Sequence, residues 1–536
     1  SSGHCRSTRS TIQIPLTIVR AANIKTQLLS EREPYSMSLS PNAALALLKP
    51  NLERHPDKVA IIAGERTVSY RRLDEQSSRF GSLLCASGIS AGERVAIVAN
   101  DSPEYFFALL GCLKAGAVAV LLNPGLGVDD YDFIFRDAGA SALVTETTAT
   151  AALQAQSKRP GLTLLLDDPE FAGRLSSAQA GFPSHTPSPD DIALLLYSSG
   201  STGTPKGVPH RHGDFLSTAD AFAGSVLAMS ERDVVFSASK LFFAYGLGNS
   251  FSFPLRFGAT VVLFPGKPDS AEVLRLISRH SVTILFGVPV AYTMLLKTMD
   301  DRNALSSLRL CVSAGESLPA PLCREWTETT GIEILDGIGS TEALHIYISN
   351  RPGAVRPGSA GILVPPFEVR LVDDEGRSIP PGTPGHLLLR GPSIAPFYWN
   401  SPEKSAETML QGGWLRTGDI FLEEDGFFFY QGRGDDLFKV DAHWVSPVRI
   451  ESTLLEHPAV MECAVSRRKV EHLVRPIAFA VLNPGYEPGP KLERELRRFV
   501  AGKLPAYMCP VQVEWVDELP KTATGKVQRF LLRQCG

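Results

Sequence analysis

From about Asn42 onward the chain alternates short apolar runs with longer amphipathic ones. VAIIAG at 59–64, RVAIVAN at 94–100 and AVAVLLN at 117–123 have the length and β-branched content of buried strands. Between them, Ser69–Leu84 and Glu104–Ala115 carry their apolar residues at helical spacing. Short strands interleaved with longer helices predict βαβ units around a largely parallel sheet. The rhythm returns in ALLLYSSG, TVVLFPG, TILFGVP, LRLCVSAGE and IEILDGIG, each a strand-like run entering a Gly-rich or polar turn. Ligands of open α/β sheets collect at the carboxyl ends of such strands, so these turns are site candidates.

After Pro352 the texture changes. VRLVDDEG, GHLLLRG and DGFFFYQGR read as short strands joined by D-G and P-G turns, a β-rich subregion. Beyond Arg433 a mixed pattern of about 100 residues runs to KVQRFLLRQ, enough for a small separate domain. The fold class is α/β: a large N-terminal domain of βαβ-built sheets plus a β-rich subregion, with a small mobile α/β C-terminal domain.

At 536 residues the chain exceeds one ordinary core, which agrees with a large composite domain plus a small one. A formal net charge of -4 without long blocks of one sign marks no surface for nucleic acid or anionic lipid. The longest uncharged apolar runs, 115–122 and 241–255, fall short of the roughly 20 residues that cross a bilayer. Eight cysteines stand without a C-x-x-C pair, which suggests neither a zinc site nor a disulfide framework and fits a reducing cytoplasm. Ser1–Ser30 carries Arg6, Arg9, Arg20 and Lys25 and no acid, a faint likeness to a transit peptide. Because the first Met is Met37, residues 1–36 are expected to be a disordered or expression-derived leader.

The densest local signal is YSSGSTGTPKGVPH, Tyr197 to His210, which follows the apolar strand IALLL. Ser198, Ser199, Ser201 and Thr202 stand among Gly200, Gly203 and Gly207, so the backbone can curl and offer N–H and O–H donors to phosphate. Lys206 adds positive charge. A P-loop is excluded, because Pro205 stands where its second Gly belongs and Gly207 where its hydroxyl belongs. Two smaller patterns do not develop: His210 and His212 form an H-x-H without a third ligand and are read as a polar loop, and SAGES at 313–317 lacks G-x-S-x-G.

The 197–210 stretch resembles the signature of the adenylate-forming superfamily: acyl- and aryl-CoA synthetases, nonribosomal adenylation domains and luciferases. DGIGSTEALH at 336–345 resembles its Thr-Glu turn, GGWLRTGDI at 412–420 its Gly-Asp motif, GRGDDLFKV at 432–440 its hinge and PKTATGKVQR at 520–529 its lysine motif. All stand in the family's order and span about Asn42 to Gln534. The resemblance implies a 37–432 domain binding ATP and an aryl acid, a 433–437 hinge centred on Asp435, and a 438–536 lid.

It also implies roles for single residues. The 197–207 loop would hold the β- and γ-phosphates, Thr341 would reach the α-phosphate, and Glu342 would ligate Mg²⁺, a hard cation suited to carboxylate oxygen. Asp419, with Arg433 nearby, would accept from the ribose hydroxyls; Asp336 and Gly337, with Gly315 and Glu316 of the SAGE turn, would frame adenine. Lys526 would bridge the attacking carboxylate and the phosphoryl oxygens. In the second half-reaction coenzyme A would attack the adenylate after the lid turns. Where the family places a Gly shortly after the hinge lysine, this chain has Ala442 after Lys439, which leaves the detail of the thiol tunnel open.

LFFAYGLGN at 241–249 lies where the superfamily places its acyl pocket, and its wording resembles benzoate-CoA ligases. Tyr245 offers a flat face while Gly246 and Gly248 remove bulk, which suits a planar ring. By the same resemblance Ala244, Tyr245, Gly339, His345, Ile346 and Lys439 line the aryl site, with His345 as the polar group facing the ring. The expected activity is ATP-dependent aryl-CoA ligation of benzoate or a substituted benzoate such as anthranilate or hydroxybenzoate. Aryl loading onto a carrier-protein phosphopantetheine and an inactive scaffold that binds aryl acid or nucleotide stand as alternatives. The expected partners are the aromatic acid, ATP and CoA, with room for a downstream acyltransferase, a carrier protein or an oligomer, and with neither nucleic acid nor membrane.

Overall fold

The computed structural model describes residues 41–149, 153, 160–199, 204–299, 301–441, 443–470, 473–521 and 527–532. Its first sheet has six strands, ordered Leu162–Leu165, Ala140–Thr145, Arg94–Val98, Val118–Leu122, Ile192–Ser199, Pro205–Arg211. All neighbours are parallel except the last pair, an antiparallel hairpin. The helix Pro103–Ala115 between two of these strands starts where Ser102 accepts from the Tyr105 N–H and ends at Gly116 with φ 77.

A second sheet of nine strands carries Val234–Ser237, Ile284–Gly287, Leu310–Ser313 and Ile334–Gly339 in its centre. These pair in parallel, as the apolar runs predict, and Ile346–Ser349 then returns antiparallel beside Ile334–Gly339. The β-rich subregion forms a five-stranded antiparallel sheet that contains Trp414–Glu424 and Phe427–Arg433. One large apolar core reaches from Ala43 through Phe251 to Phe428 and ties all three sheets together.

Past Arg433, a two-stranded pair, Phe438–Val440 with His443–Val445, leads into the helix Pro447–Leu454. A three-stranded sheet of Val460–Val470, Leu473–Leu482 and Gln512–Trp515 has its own apolar cluster centred on Ile450, Val465, Leu496 and Val513. A core of its own is what a separately moving domain needs. Among the described residues no helix is long and apolar enough to cross a membrane.

Candidate active site

The hairpin of the first sheet presents the Gly-rich segment. Tyr197 stands opposite Gly207, Ser198 opposite Lys206 and Ser199 opposite Pro205. Gly200, Ser201, Thr202 and Gly203 lie outside the described residues. The hairpin's base is clamped from two sides: the Tyr197 hydroxyl donates to Asp137 Oδ2 at 2.6 Å, and the Trp399 N–H donates to the Gly207 carbonyl at 2.8 Å. A Cβ on Gly207 would lie 2.8 Å from Trp399 Cβ, so this position takes no side chain. Burial lowers the Lys206 ammonium's pKa, with Lys404 and Arg433 pushing the same way and Glu342 opposing them.

Glu342 stands in the turn between Ile334–Gly339 and Ile346–Ser349, within the short 3-10 segment Thr341–Ala343. Its Oε1 accepts from the Tyr398 hydroxyl at 2.7 Å, and Lys206 Nζ lies 5.6 Å from the centre of the same Tyr398 ring. Tyr398 therefore sits between the lysine and the carboxylate. Among the described residues no group of three or more His, Cys, Asp or Glu could hold a metal. A lone carboxylate suits Mg²⁺, which keeps several waters and draws its remaining ligands from substrate phosphates.

His210 and His212 do not form a polar loop. His210 is fully buried on the strand Pro205–Arg211, its Nδ1 3.1 Å from Asp214 Oδ2 and its Nε2 2.8 Å from the Thr341 carbonyl. His212 opens the following helix, where its Nδ1 accepts from the Ala43 N–H at 3.2 Å.

Asp336, in the middle of the strand Ile334–Gly339 that leads to this turn, is 7% exposed. Its Oδ2 accepts from the Leu318 N–H at 3.3 Å, and its Oδ1 has no partner among the described residues. Burial raises its pKa well above the usual carboxylate range. An unmet acceptor inside protein is costly, and a ligand amino group would satisfy it. Gly315, in the left-handed region at φ 96, and Glu316 belong to the turn that precedes Leu318. Gly337 passes close to its neighbour strand: a Cβ there would lie 3.0 Å from the Ile348 carbonyl.

Asp419 and Arg433 face each other across Trp414–Glu424 and Phe427–Arg433. Arg433 Nη1 donates to Asp419 Oδ1 and to the Thr417 carbonyl, each at 3.0 Å. The Asp419 carboxylate raises the Arg433 pKa further and thereby keeps the guanidinium charged. Asp435 follows on the surface.

The stretch 241–249 is a single helical turn, Ala244–Leu247, that passes directly into a π-helical turn, Gly248–Ser252. Single π turns inside helices commonly mark functional sites. The Tyr245 hydroxyl reaches the Gly287 and Val312 carbonyls at 3.3 and 3.2 Å, which pins the ring to the carboxyl ends of two parallel strands. The two glycines make room for the protein itself. A Cβ on Gly246 would lie 2.1 Å from the Lys240 carbonyl, and one on Gly248 2.3 Å from His345 Cδ2.

His345 is enclosed by Phe222, Tyr245 and Phe253, with ring centroids 5.3, 5.5 and 4.4 Å away. Burial depresses its pKa to about 3, so the ring is neutral. The hydrogen bonds around it have a direction. The Ser237 hydroxyl donates to the Ser239 carbonyl at 3.1 Å, and the Ser237 oxygen accepts from Asn249 Nδ2 at 3.3 Å. Asn249 Oδ1 is thus the atom 3.1 Å from His345 Nε2. In this arrangement Nε2 donates to that oxygen, and among the described residues Nδ1 has no hydrogen-bond partner. Ile346 is buried beside it, and a Cβ on Gly339 would lie 2.5 Å from the His345 carbonyl.

Lys439 lies on the exposed face of the pair Phe438–Val440 and His443–Val445, its Nζ 4.7 Å from the centre of the Trp444 ring. Lys526 and Ala442 lie outside the described residues. Arg529, just past Lys526, donates to Glu451 at 3.2 and 2.7 Å and stands 3.8 Å from Asp436, which anchors this end of the chain beside the hinge segment.

A family model described as AMP-binding enzyme matches residues 48–399, and one for the AMP-binding enzyme C-terminal domain matches residues 449–526. The chain belongs to the AMP-binding enzyme family. Among curated relatives, this AMP-binding enzyme is 42% identical to a benzoate–CoA ligase of Thauera aromatica, over 92% of this chain and 95% of the relative. It is 36% identical to an anthranilate–CoA ligase of Pseudomonas aeruginosa, over 85% of this chain and 89% of the relative. Among solved structures it is similar to the anthranilate CoA ligase AuaEII in complex with anthranoyl-AMP, with TM-score 0.89, 40% identity and 93% and 98% of the two chains covered. A benzoate CoA ligase from Burkholderia xenovorans superposes with TM-score 0.86 at 39% identity, covering 92% and 99% of the two chains.

Several residues of this AMP-binding enzyme's site escaped the sequence reading. Tyr398 sits in PFYWN, an aromatic cluster without a periodic signature, and Asn249 reads as the polar end of an apolar stretch. His210 and Asp214 stand four apart, a spacing that signals contact on a helix but here spans a strand end and a helix start.

Proposed function

We propose that this protein is an ATP-dependent aryl-CoA ligase, AMP-forming, acting on a benzoate that bears a ring amino or hydroxyl group. The observation that carries the reading is the continuity of one turn. Thr341 and Glu342 at its start lie against the Lys206 strand and Tyr398, while His345 and Ile346 at its end close the aromatic wall. Phosphate chemistry and ring recognition are thus a few residues apart.

In the first step a carboxylate oxygen of the aryl acid attacks the α-phosphorus of ATP, and the bond to the β-phosphate breaks to release pyrophosphate. Charge stabilisation is the main demand. Lys206 and the 197–207 loop serve the β- and γ-phosphates and the Thr341 hydroxyl the α-phosphate; Glu342 would hold a Mg²⁺, which would supply positive charge to offset theirs. Asp336 Oδ1 takes the adenine amino group, and Asp419, steadied by Arg433, takes the ribose hydroxyls. Lys526, brought in by the 438–536 lid, spans carboxylate and phosphate. In the second step the lid turns about Asp435, and the CoA thiol attacks the acyl carbon, forming the thioester and expelling AMP.

The direction of the Ser237–Asn249–His345 chain supports the ring substituent. A lone pair on neutral His345 welcomes an N–H or O–H donor, and a ring without one leaves the acceptor unmet, worth about 1–3 kcal/mol. The test is a panel of benzoate, 2-methylbenzoate, aminobenzoates and hydroxybenzoates assayed for pyrophosphate release in the wild type and in His345→Leu. An amino- or hydroxybenzoate leads in the wild type by about tenfold in kcat/KM, and His345→Leu erases that lead while the KM for ATP stays within about twofold. A wild type that prefers 2-methylbenzoate, or a variant with unchanged ranking, contradicts the assignment.

A further inference from the structure

We propose that His210 is a positioning residue for adenylation, a buried clip by which the Lys206 strand fixes the turn that bears Thr341 and Glu342. The inference rests on the roles proposed above for those two residues. His210 follows Lys206 by four positions on the strand Pro205–Arg211, a spacing that returns side chains to one face about 13 Å further along.

Both of its ring nitrogens face oxygen, at 2.8 Å from the Thr341 carbonyl and 3.1 Å from Asp214 Oδ2. A carbonyl only accepts, so Nε2 carries a proton and donates. Asp214 Oδ2 also accepts from the Arg211 N–H at 3.0 Å, so the carboxylate beside Nδ1 is itself held at the start of the following helix. The ring therefore bridges the Thr341 carbonyl and the Asp214 carboxylate.

The turn it holds is fixed from several directions. The Glu342 carbonyl accepts from the Ala395 N–H and the Ala343 carbonyl from the Ser393 hydroxyl, each at 2.8 Å. Within the turn the Leu344 N–H also reaches the Thr341 carbonyl, at 3.0 Å. Leu344 has φ 65, a left-handed conformation that a leucine keeps only where its surroundings impose it. Of the side chains and amides that reach in from other elements to these carbonyls, among the described residues, His210 alone comes from the phosphate-binding hairpin. Without it the turn loses its registration to Lys206, and a displacement of about 1 Å at reacting groups is worth about 100-fold in rate.

The experiment compares His210→Gln, His210→Asn and His210→Phe by ATP–pyrophosphate exchange, by thioester formation from supplied aryl-adenylate and CoA, and by melting temperature. A glutamine amide reaches the position of Nε2 and can donate to Thr341; an asparagine amide ends near Nδ1 and serves Asp214 alone. His210→Gln is expected to stay within about threefold of wild type in exchange kcat, while Asn and Phe lose about 10- to 100-fold. All three are expected to keep near-wild-type thioester formation and an aryl-acid KM within about twofold. Equal rates for Gln and Asn, equal loss in both half-reactions, or loss that simply tracks melting temperature would overturn the clip. Glu342→Gln separates the two levels. Wild-type exchange in that variant overturns the reading of the turn and the clip with it, whereas an inactive Glu342→Gln beside fully active His210 variants overturns the clip alone.

Discussion

His345 shows how a single side chain takes its chemistry from its surroundings. Three aromatic rings exclude water and hold its pKa at about 3, and Asn249 fixes which nitrogen keeps the proton. The sign of the consequence for stability follows from linkage. Below about pH 6.5 the unfolded chain takes up a proton at this residue, whereas the folded protein does so only near pH 3. Stability contributed by His345 is therefore fully present above about pH 6.5 and is lost as the pH falls, by about 1.4 kcal/mol per pH unit. His212, lowered to about 4, acts in the same direction, and Asp101, raised from 3.8 to about 6, opposes them. In urea titrations between about pH 5.5 and about pH 4.5, His345→Leu is expected to remove about one proton's worth of the slope of stability against pH. A slope equal to that of the wild type would show that the ring is already protonated in the folded protein.

Among the elements, strands and the helices between them were plain in the sequence, because period-2 and period-3.6 patterns report burial directly. VAIIAG, RVAIVAN and IEILDGIG are strands in the structure, and the helix expected over Glu104–Ala115 starts one position earlier, at Pro103, capped by Ser102. The ordered motifs also located the Thr-Glu turn and the Gly-rich hairpin. What the sequence did not reveal depends on long-range contact. His210 meets a carbonyl 131 residues away, and Tyr398 meets Glu342 56 residues away; no local spacing encodes either pairing. The stretch 241–249 was placed in the aryl wall, yet the reason for its glycines lay in Lys240 and His345, which only packing discloses. Gly246→Ala drives a methyl to 2.1 Å from a backbone oxygen, so a loss of roughly 1–3 kcal/mol is expected in denaturant unfolding. Gly213→Ala, in the exposed start of a helix with nothing within 4 Å, should instead be neutral or stabilising by about 0.5–1 kcal/mol. Equal effects at the two positions would contradict the close approach at Lys240.

On the scale of the whole molecule, the hairpin of the first sheet meets the Thr341–Ala343 turn of the second through His210, and the C-terminal part follows with an apolar cluster of its own. The chain between the two is short, from Arg433 on the last strand of the β-rich sheet to Phe438 on the next pair. Asp436 within that segment meets Arg529, so the segment that ends the lysine motif is tied to the place where the C-terminal part would turn. Two half-reactions with different needs, a lysine in one and a thiol path in the other, explain why a ligase would be built as a fixed site and a small second body. The central claim is that both half-reactions occur on this chain. It is tested most directly by mass measurement of the products formed from ATP, Mg²⁺ and an amino- or hydroxybenzoate, with and without CoA. The account predicts pyrophosphate and an enzyme-bound aryl-adenylate without CoA, and free aryl-CoA with AMP when CoA is added. Adenylate that accumulates unchanged in the presence of CoA would contradict it.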